Sequence, residues 1–201
     1  MKIVIFGATG TIGNAVTKEL DEHEIVRVGF NTGNGDYHAD IEDRESLSAL
    51  FKEIGTVDAI ISTTGLIAFA PVKDLAFEDI QKTVDNKIMG HINLFQIGHS
   101  YIREGGSITF TSGHLAQHPM SGGAAVSMVN AALDAFAKAS AFELGSTLRI
   151  NTVSPRFVKE TMELMGMDST DGISAADTAK AYRHAVETSE TGHAFDVVDY
   201  I

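Results

Sequence analysis

Apolar residues recur along this chain with two alternating spacings. Lys2 to Phe6 is a short, almost continuous apolar run, as a strand covered on both faces requires. From Thr11 to Glu22, Ile12, Ala15, Val16 and Leu20 instead fall on one helical stripe. The alternation continues with an apolar run at Glu24–Val28, a helix from about Asp43 to Glu53, and a run at Val57–Ser62. A long helix from about Phe77 to Tyr101, a run at Ser107–Thr111 and a second long helix over about Gly123–Leu144 follow. A strand at Leu148–Val153, a helix at Ala175–Thr188 and a strand at Ala194–Val198 complete the pattern. Strands separated by helices in this way predict an α/β fold, one doubly wound and mostly parallel sheet with right-handed crossovers. No repeat or low-complexity tract interrupts it, so residues 1–201 read as a single domain. Arg156–Ser174, a mixture of Met, Gly, Asp and Ser, fits neither spacing and reads as a mobile segment over a site.

Composition narrows the chemistry. With 201 residues, 44% apolar positions and 3 prolines, the chain has a core to bury and no linker-like stretch. Lacking cysteine, it has no disulfide, thiolate metal site or cysteine nucleophile. Its 15 basic against 27 acidic residues, a net charge of −12, argue against a nucleic-acid partner. An acidic protein still holds a phosphorylated ligand through backbone N–H groups at a helix N-terminus. No apolar run suits a membrane span, and Ile3–Phe6 ends at a glycine, unlike a signal peptide. A cytoplasmic protein is expected.

Candidate chemistry begins where the first strand ends. Gly7-Ala8-Thr9-Gly10-Thr11-Ile12-Gly13 joins that strand to the first helix. A dinucleotide site needs this arrangement: one glycine for the tight turn, one for close approach of the diphosphate, one for helix-on-strand packing. Gly7, Thr9, Gly10, Thr11, Ile12 and Gly13 are therefore candidate coenzyme residues. NAD sites place a carboxylate on the ribose about 20 residues onward. Here Gly29-Phe30-Asn31-Thr32 stands there, with no acid until Asp36. Asn31 and Thr32 leave room for the 2′-phosphate of NADP without repelling it, so NADP is favoured and NAD stays open.

With these elements in place, the chain resembles the short-chain dehydrogenase/reductase family, a Rossmann-type fold, over essentially its whole length. Gly7–Gly13 is similar to that family's coenzyme turn, and Asp40-Ile41 to its adenine-contacting pair. Ser62-Thr63-Thr64-Gly65 stands where the family has Asn-Asn-Ala-Gly, which makes Thr64 and Gly65 coenzyme candidates. Ile108–Ser112 resembles the strand that ends in the catalytic serine. Arg149–Pro155 resembles the segment lining the nicotinamide pocket, with Pro155, Val158 and Thr161 near the coenzyme's carboxamide. The resemblance implies hydride transfer between NAD(P)(H) and a small carbonyl or alcohol, in a homodimer or homotetramer.

The family's acid–base residues are replaced. Matching Asn130-Ala131-Ala132-Leu133 to Lys-Ala-Ala-Leu puts Asn130 at the lysine position and Val126 at the tyrosine position. Spacing to Gly90 puts Lys87, beside Asn86, where the family has a helical asparagine. Ser112 remains. His114, two residues on, titrates near pH 7 when unperturbed and is a candidate acid. Lys87 is a candidate electrostatic group. Three readings stay open: an enzyme with altered acid–base chemistry, a silent coenzyme-binding sensor or interaction module, and a scaffold without coenzyme. No metal site is expected, since His114 and His118 have no suitable partner beside them.

Other features read more simply. His91 and His99 are expected at the surface or an interface, and Asp43 as a helix N-cap. The helix from Gly123 is rich in small residues, with Met128, Leu133, Phe136 and Phe142 expected to fill gaps.

Overall fold

A computed structural model describes residues 1–30 and 35–201. Asn31 and Thr32 lie outside the described residues. Seven parallel strands form one sheet in the order β3-β2-β1-β4-β5-β6-β7. They are β1 (Lys2–Phe6), β2 (Glu24–Gly29), β3 (Tyr37–His38), β4 (Val57–Ser62), β5 (Ile102–Thr111), β6 (Arg149–Ser154) and β7 (Ala194–Asp196). The doubly wound α/β expectation holds. β3 was not foreseen, because two residues on a sheet edge carry no period to read.

The helices cover both faces. On one, α2 (Arg44–Ile54), α4 (His91–Gly98) and α5 (Ala124–Leu144) bury Val4, Phe6, Ile60, Ile108, Phe110 and Ile150. On the other, α1 (Thr11–Glu19) and α7 (Ala175–Glu187) bury Ile3, Ile5, Ile61 and Val153. Successive side chains of a strand serve opposite layers, so β1 has to be apolar throughout. Buried Tyr182 ties α7 to β5 through a 2.6 Å hydrogen bond between its hydroxyl and Thr111 Oγ1. Arg149 satisfies the end of α7 by donating to the carbonyls of Ala185, Val186 and Thr188. As the sequence suggests, Asp43 caps α2, its Oδ1 accepting from the N–H groups of Glu45 and Ser46.

Three expectations change. The long helix from Phe77 is broken: α3 (Phe77–Val84), a π-helical turn at Asp85–Gly90, then α4 and a 3₁₀ turn at His99–Tyr101. Wide turns of this kind re-aim side chains and frequently mark functional sites. Arg156–Ser174 contains a short α6 (Lys159–Leu164), and its base is closed where Val158 pairs with Ile173. On α5, Met128 and Phe142 fill no gap: they lie on its outer face, and Phe142 is 93% exposed.

Candidate functional site

The strand order reverses between β1 and β4, and loops leaving the carboxyl ends there part to opposite faces, opening a crevice. At the end of β1, Gly7 has φ +76°, a conformation that glycine adopts freely. A Cβ at Gly13 would lie 2.1 Å from the Gly7 carbonyl oxygen, so only glycine lets α1 pack this closely on the turn. Gly10 is different. Its φ of −80° suits any residue, and its nearest neighbour to an added Cβ is the Gly7 oxygen at 3.4 Å. It is exposed with Thr9, and no side chain caps the first N–H groups of α1. Thr11 and Ile12 are half-buried in the first helical turn.

The next wall comes from β4. Ser62 Oγ lies 2.8 Å from Thr64 Oγ1 and 3.0 Å from His91 Nε2, and His91 Nδ1 lies 2.7 Å from the Lys87 carbonyl oxygen. His91 is fully buried, which corrects the surface expectation: the π-helical turn rotates this side of the helix onto the sheet. Burial, with the Lys87 charge, pulls its pKa down to about 3, so the ring is neutral. Asn86 joins the loops around it, accepting from Leu66 N–H at 2.7 Å and donating to Glu42 Oε1 at 2.6 Å.

Lys87 enters the site from the same turn. It is only 5% exposed, and its Nζ donates to the Ser112 carbonyl oxygen at 2.9 Å. Burial lowers its pKa to about 8, a fall limited by the charge of Asp134. A side chain at exposed Gly65 would sit 3.3–3.7 Å from Lys87 Cδ, Cε and Nζ, so glycine keeps this approach open.

Lys87 and Ser112 are thus brought together, but Ser112 does not present its hydroxyl to solvent. The residue is 3% exposed and its Oγ donates to the Val153 carbonyl oxygen at 3.3 Å. Val126 and Asn130 are buried to the same degree. Asn130 Oδ1 has no hydrogen-bond partner among the described residues, and a Cβ at Gly113 would lie 2.6 Å from its Nδ2. His114 turns elsewhere. Its ring stacks on His118 at 4.1 Å, and Nδ1 lies 3.9 Å from Asp196, which also binds Arg156. Burial, with Arg156 and His118 nearby, depresses its pKa and favours the neutral ring.

The remaining candidates are more scattered. Ile41 is buried in the core against Gly90, and Asp40 Oδ1 accepts from Glu42 N–H. The Pro155 carbonyl accepts from His114 N–H, Val158 is buried at the start of α6, and Thr161 is exposed on it. Two residues that the sequence reading did not count as candidates belong to the site: Asn86, noted only as a neighbour of Lys87, and His91. For His91 the signal was there, since it follows Lys87 by four positions and shares its helix face.

The family described as Enoyl-(Acyl carrier protein) reductase matches residues 8–196. Among solved structures, the protein lin1944 from Listeria innocua is 36% identical with a TM-score of 0.91, covering 98% of this chain and 99% of that one. A small-chain dehydrogenase in complex with NADPH is 28% identical with a TM-score of 0.83, covering 98% of this chain and 95% of that one. Versicolorin reductase 1 of Aspergillus parasiticus is 25% identical over 170 residues, 79% of this chain and 63% of that protein. The chain spans between 44% and 63% of the length of the curated relatives it matches. Among the described residues, no helix is long and apolar enough to cross a membrane.

Proposed function

Because the chain belongs to the short-chain dehydrogenase/reductase family, we propose that it is an NAD(P)(H)-dependent oxidoreductase interconverting a small carbonyl compound and its alcohol. The observation that carries this reading is the turn at the end of β1. Gly7 and Gly13 clear the space, Gly10 leaves the approach free, and the bare N-terminus of α1 offers N–H groups to a diphosphate. Thr9, Thr11 and Ile12 complete that cradle, while Thr64, Gly65, Pro155, Val158 and Thr161 border the nicotinamide end. NADP is preferred over NAD. The first acid beyond β2, Asp36, is tied to the strand backbone, accepting from Arg27 N–H. An NADPH-bound relative at 28% identity supports the same preference.

When bound, the reduced nicotinamide supplies a hydride to a carbonyl carbon. The chain's own task is the proton. Lys87 Nζ, brought into the site by the π-helical turn and with its pKa lowered by burial from the ordinary lysine range, carries it. Ser112 anchors this amine through its carbonyl oxygen, and Gly65 admits the substrate oxygen to it. His114, engaged with His118 and Asp196, stays outside this step. Exposed Met128 and Phe142 on α5 support the self-association that the family resemblance implies.

The test is thermal unfolding with NADPH and with NADH, followed by coenzyme oxidation against a panel of aldehydes and ketones. At a hundredfold excess over Kd, binding adds about 2.7 kcal/mol, a rise in Tm of roughly 5–10 °C. No rise with either coenzyme refutes the reading. A rise without turnover establishes the second reading, a silent coenzyme-binding module, which the burial of Val126, Asn130 and Ser112 favours.

A further inference from the structure

Residues 66–72 read Leu-Ile-Ala-Phe-Ala-Pro-Val, an unbroken apolar run, and none of them is buried. Leu66 is 63% and Val72 71% exposed. Exposed apolar runs longer than about four residues are avoided unless they serve a contact. The segment is held in place by its main chain. Leu66 N–H donates to Asn86 Oδ1 at 2.7 Å, Ala70 N–H to the Gly122 carbonyl oxygen at 3.0 Å, and Asp74 N–H to the Pro71 carbonyl oxygen at 2.8 Å. Its backbone is anchored at both ends, while the side chains of Leu66, Ile67 and Phe69 stay exposed.

Where the run begins decides what it meets. Leu66 follows exposed Gly65, the position open to Lys87 Nζ. Asn86, which holds Leu66, is the neighbour of Lys87 on the π-helical turn. One turn of helix therefore fixes both the amine and the start of the apolar segment. The far anchor, Gly122, belongs to the loop that leaves β5 after Ser112, where Met120 is exposed. The run bridges the loops of two strands whose ends build the site.

We propose that residues 66–72 form the substrate wall of this site, and that the substrate is a carbonyl compound with an apolar body of several carbons. This deepens the oxidoreductase reading and rests on it. With the carbonyl oxygen between Gly65 and Lys87, the carbon skeleton runs on over Leu66, Ile67 and Phe69, whose side chains contribute apolar surface alone. Two other occupants fit less well. A bilayer draws in apolar side chains that have basic neighbours, whereas Lys73, Asp74, Glu78 and Asp79, which follow the run, carry more acid than base. A second copy of the chain seated on Leu66 would close the approach at Gly65 that the reaction needs.

The experiment titrates the full chain, ¹³C-labelled at its isoleucine methyls, with the primary alcohols butanol, hexanol and octanol in the presence of NADP⁺. The Ile67 resonance is the one that disappears in Ile67→Val. Affinity is expected to rise about threefold per added methylene, with the Ile67 signal shifting as each alcohol binds. Leu66→Ser and Phe69→Ser, both at exposed positions, should each weaken octanol binding about tenfold and butanol binding less. Equal affinity along the series, or binding that leaves Ile67 unmoved, overturns the proposal. So does an Ile67 signal that moves on dilution of the protein alone, or with phosphatidylglycerol vesicles and not with alcohols. Whether or not NADP⁺ binds, the titration reports on the wall. Oxidation of all three alcohols at equal kcat/KM keeps the oxidoreductase reading and sinks the apolar wall. Binding that grows with chain length, without oxidation of any alcohol, sustains the apolar site while refuting the reaction.

Discussion

The carboxyl ends of β1 and β5, separated in the sheet only by β4, are built on opposite principles. The first is open and works through backbone: glycines remove side chains, and N–H groups of α1 face outward. The second is closed and works through side chains, with Lys87, Ser112 and Asn130 all at least nine-tenths buried. Backbone recognition tolerates little change, because a single Cβ at Gly13 collides with main chain. Side-chain chemistry can be rebuilt from another element. A lysine from the π-helical turn stands beside the strand end where the family's tyrosine and lysine positions are apolar or neutral. The coenzyme end of the fold is thus constrained sterically, and the chemical end electrostatically.

That contrast is breakable. The largest effect belongs to Gly13→Ala, whose Cβ would meet the Gly7 oxygen at 2.1 Å. Overpacking of this kind costs about 3 kcal/mol, read by urea unfolding; native-like stability would mean that the turn is not sterically fixed. Lys87→Met probes the other end through pH. Lys87 holds its proton to about pH 10.5 when unfolded but only to about 8 when folded, so between these values the unfolded chain binds more protons and stability rises with pH. The burial penalty, about 3 kcal/mol below pH 8, is relieved across that window at about 1.36 kcal/mol per pH unit. Above pH 10 buried Tyr182 opposes the trend, because its phenol ionises only on unfolding. Stability curves between pH 7 and 10 should rise in the native protein and flatten in Lys87→Met. Parallel curves would place Lys87 outside the low-dielectric interior.

Gly10→Val separates binding from folding. Its backbone conformation suits valine, so stability stays within about 1 kcal/mol, while the stabilisation of about 2.7 kcal/mol from hundredfold NADPH disappears. Retained stabilisation would move the diphosphate away from this turn. The smallest effect is Asp43→Ala, which removes an N-cap from α2 away from both strand ends. It should cost about 1 kcal/mol in urea unfolding without altering coenzyme binding; a change in binding would show that the two ends communicate through α2.

The sheet and the coenzyme turn were legible in the sequence because both are local. Apolar runs and glycine spacings carry their meaning within a few residues. The π-helical turn was not legible, since Asp85–Gly90 has no proline or insertion to announce it. Its consequence followed: His91, expected at the surface or an interface, is buried beside the candidate Lys87. The faces of α5 were hidden for a related reason. On α5, where most residues are small or apolar, the stripe facing the sheet cannot be distinguished by hydrophobicity from the one facing out. Phe142 exposed on the outer face and Asn130 buried toward the sheet invert the usual order.

The chain of contacts from Thr64 to His91 has a direction. The Lys87 carbonyl can only accept, so His91 Nδ1 carries the hydrogen, and a neutral ring then leaves Nε2 as an acceptor. Ser62 must spend its one hydrogen on Nε2, and Thr64 must spend its own on Ser62. The hydroxyl of Thr64, half-exposed at the crevice, therefore meets any visitor with lone pairs alone. It welcomes an alcohol or an amide N–H and turns away a bare phosphate or carboxylate oxygen. A peptide carbonyl two turns into the protein fixes the polarity of the site's doorway.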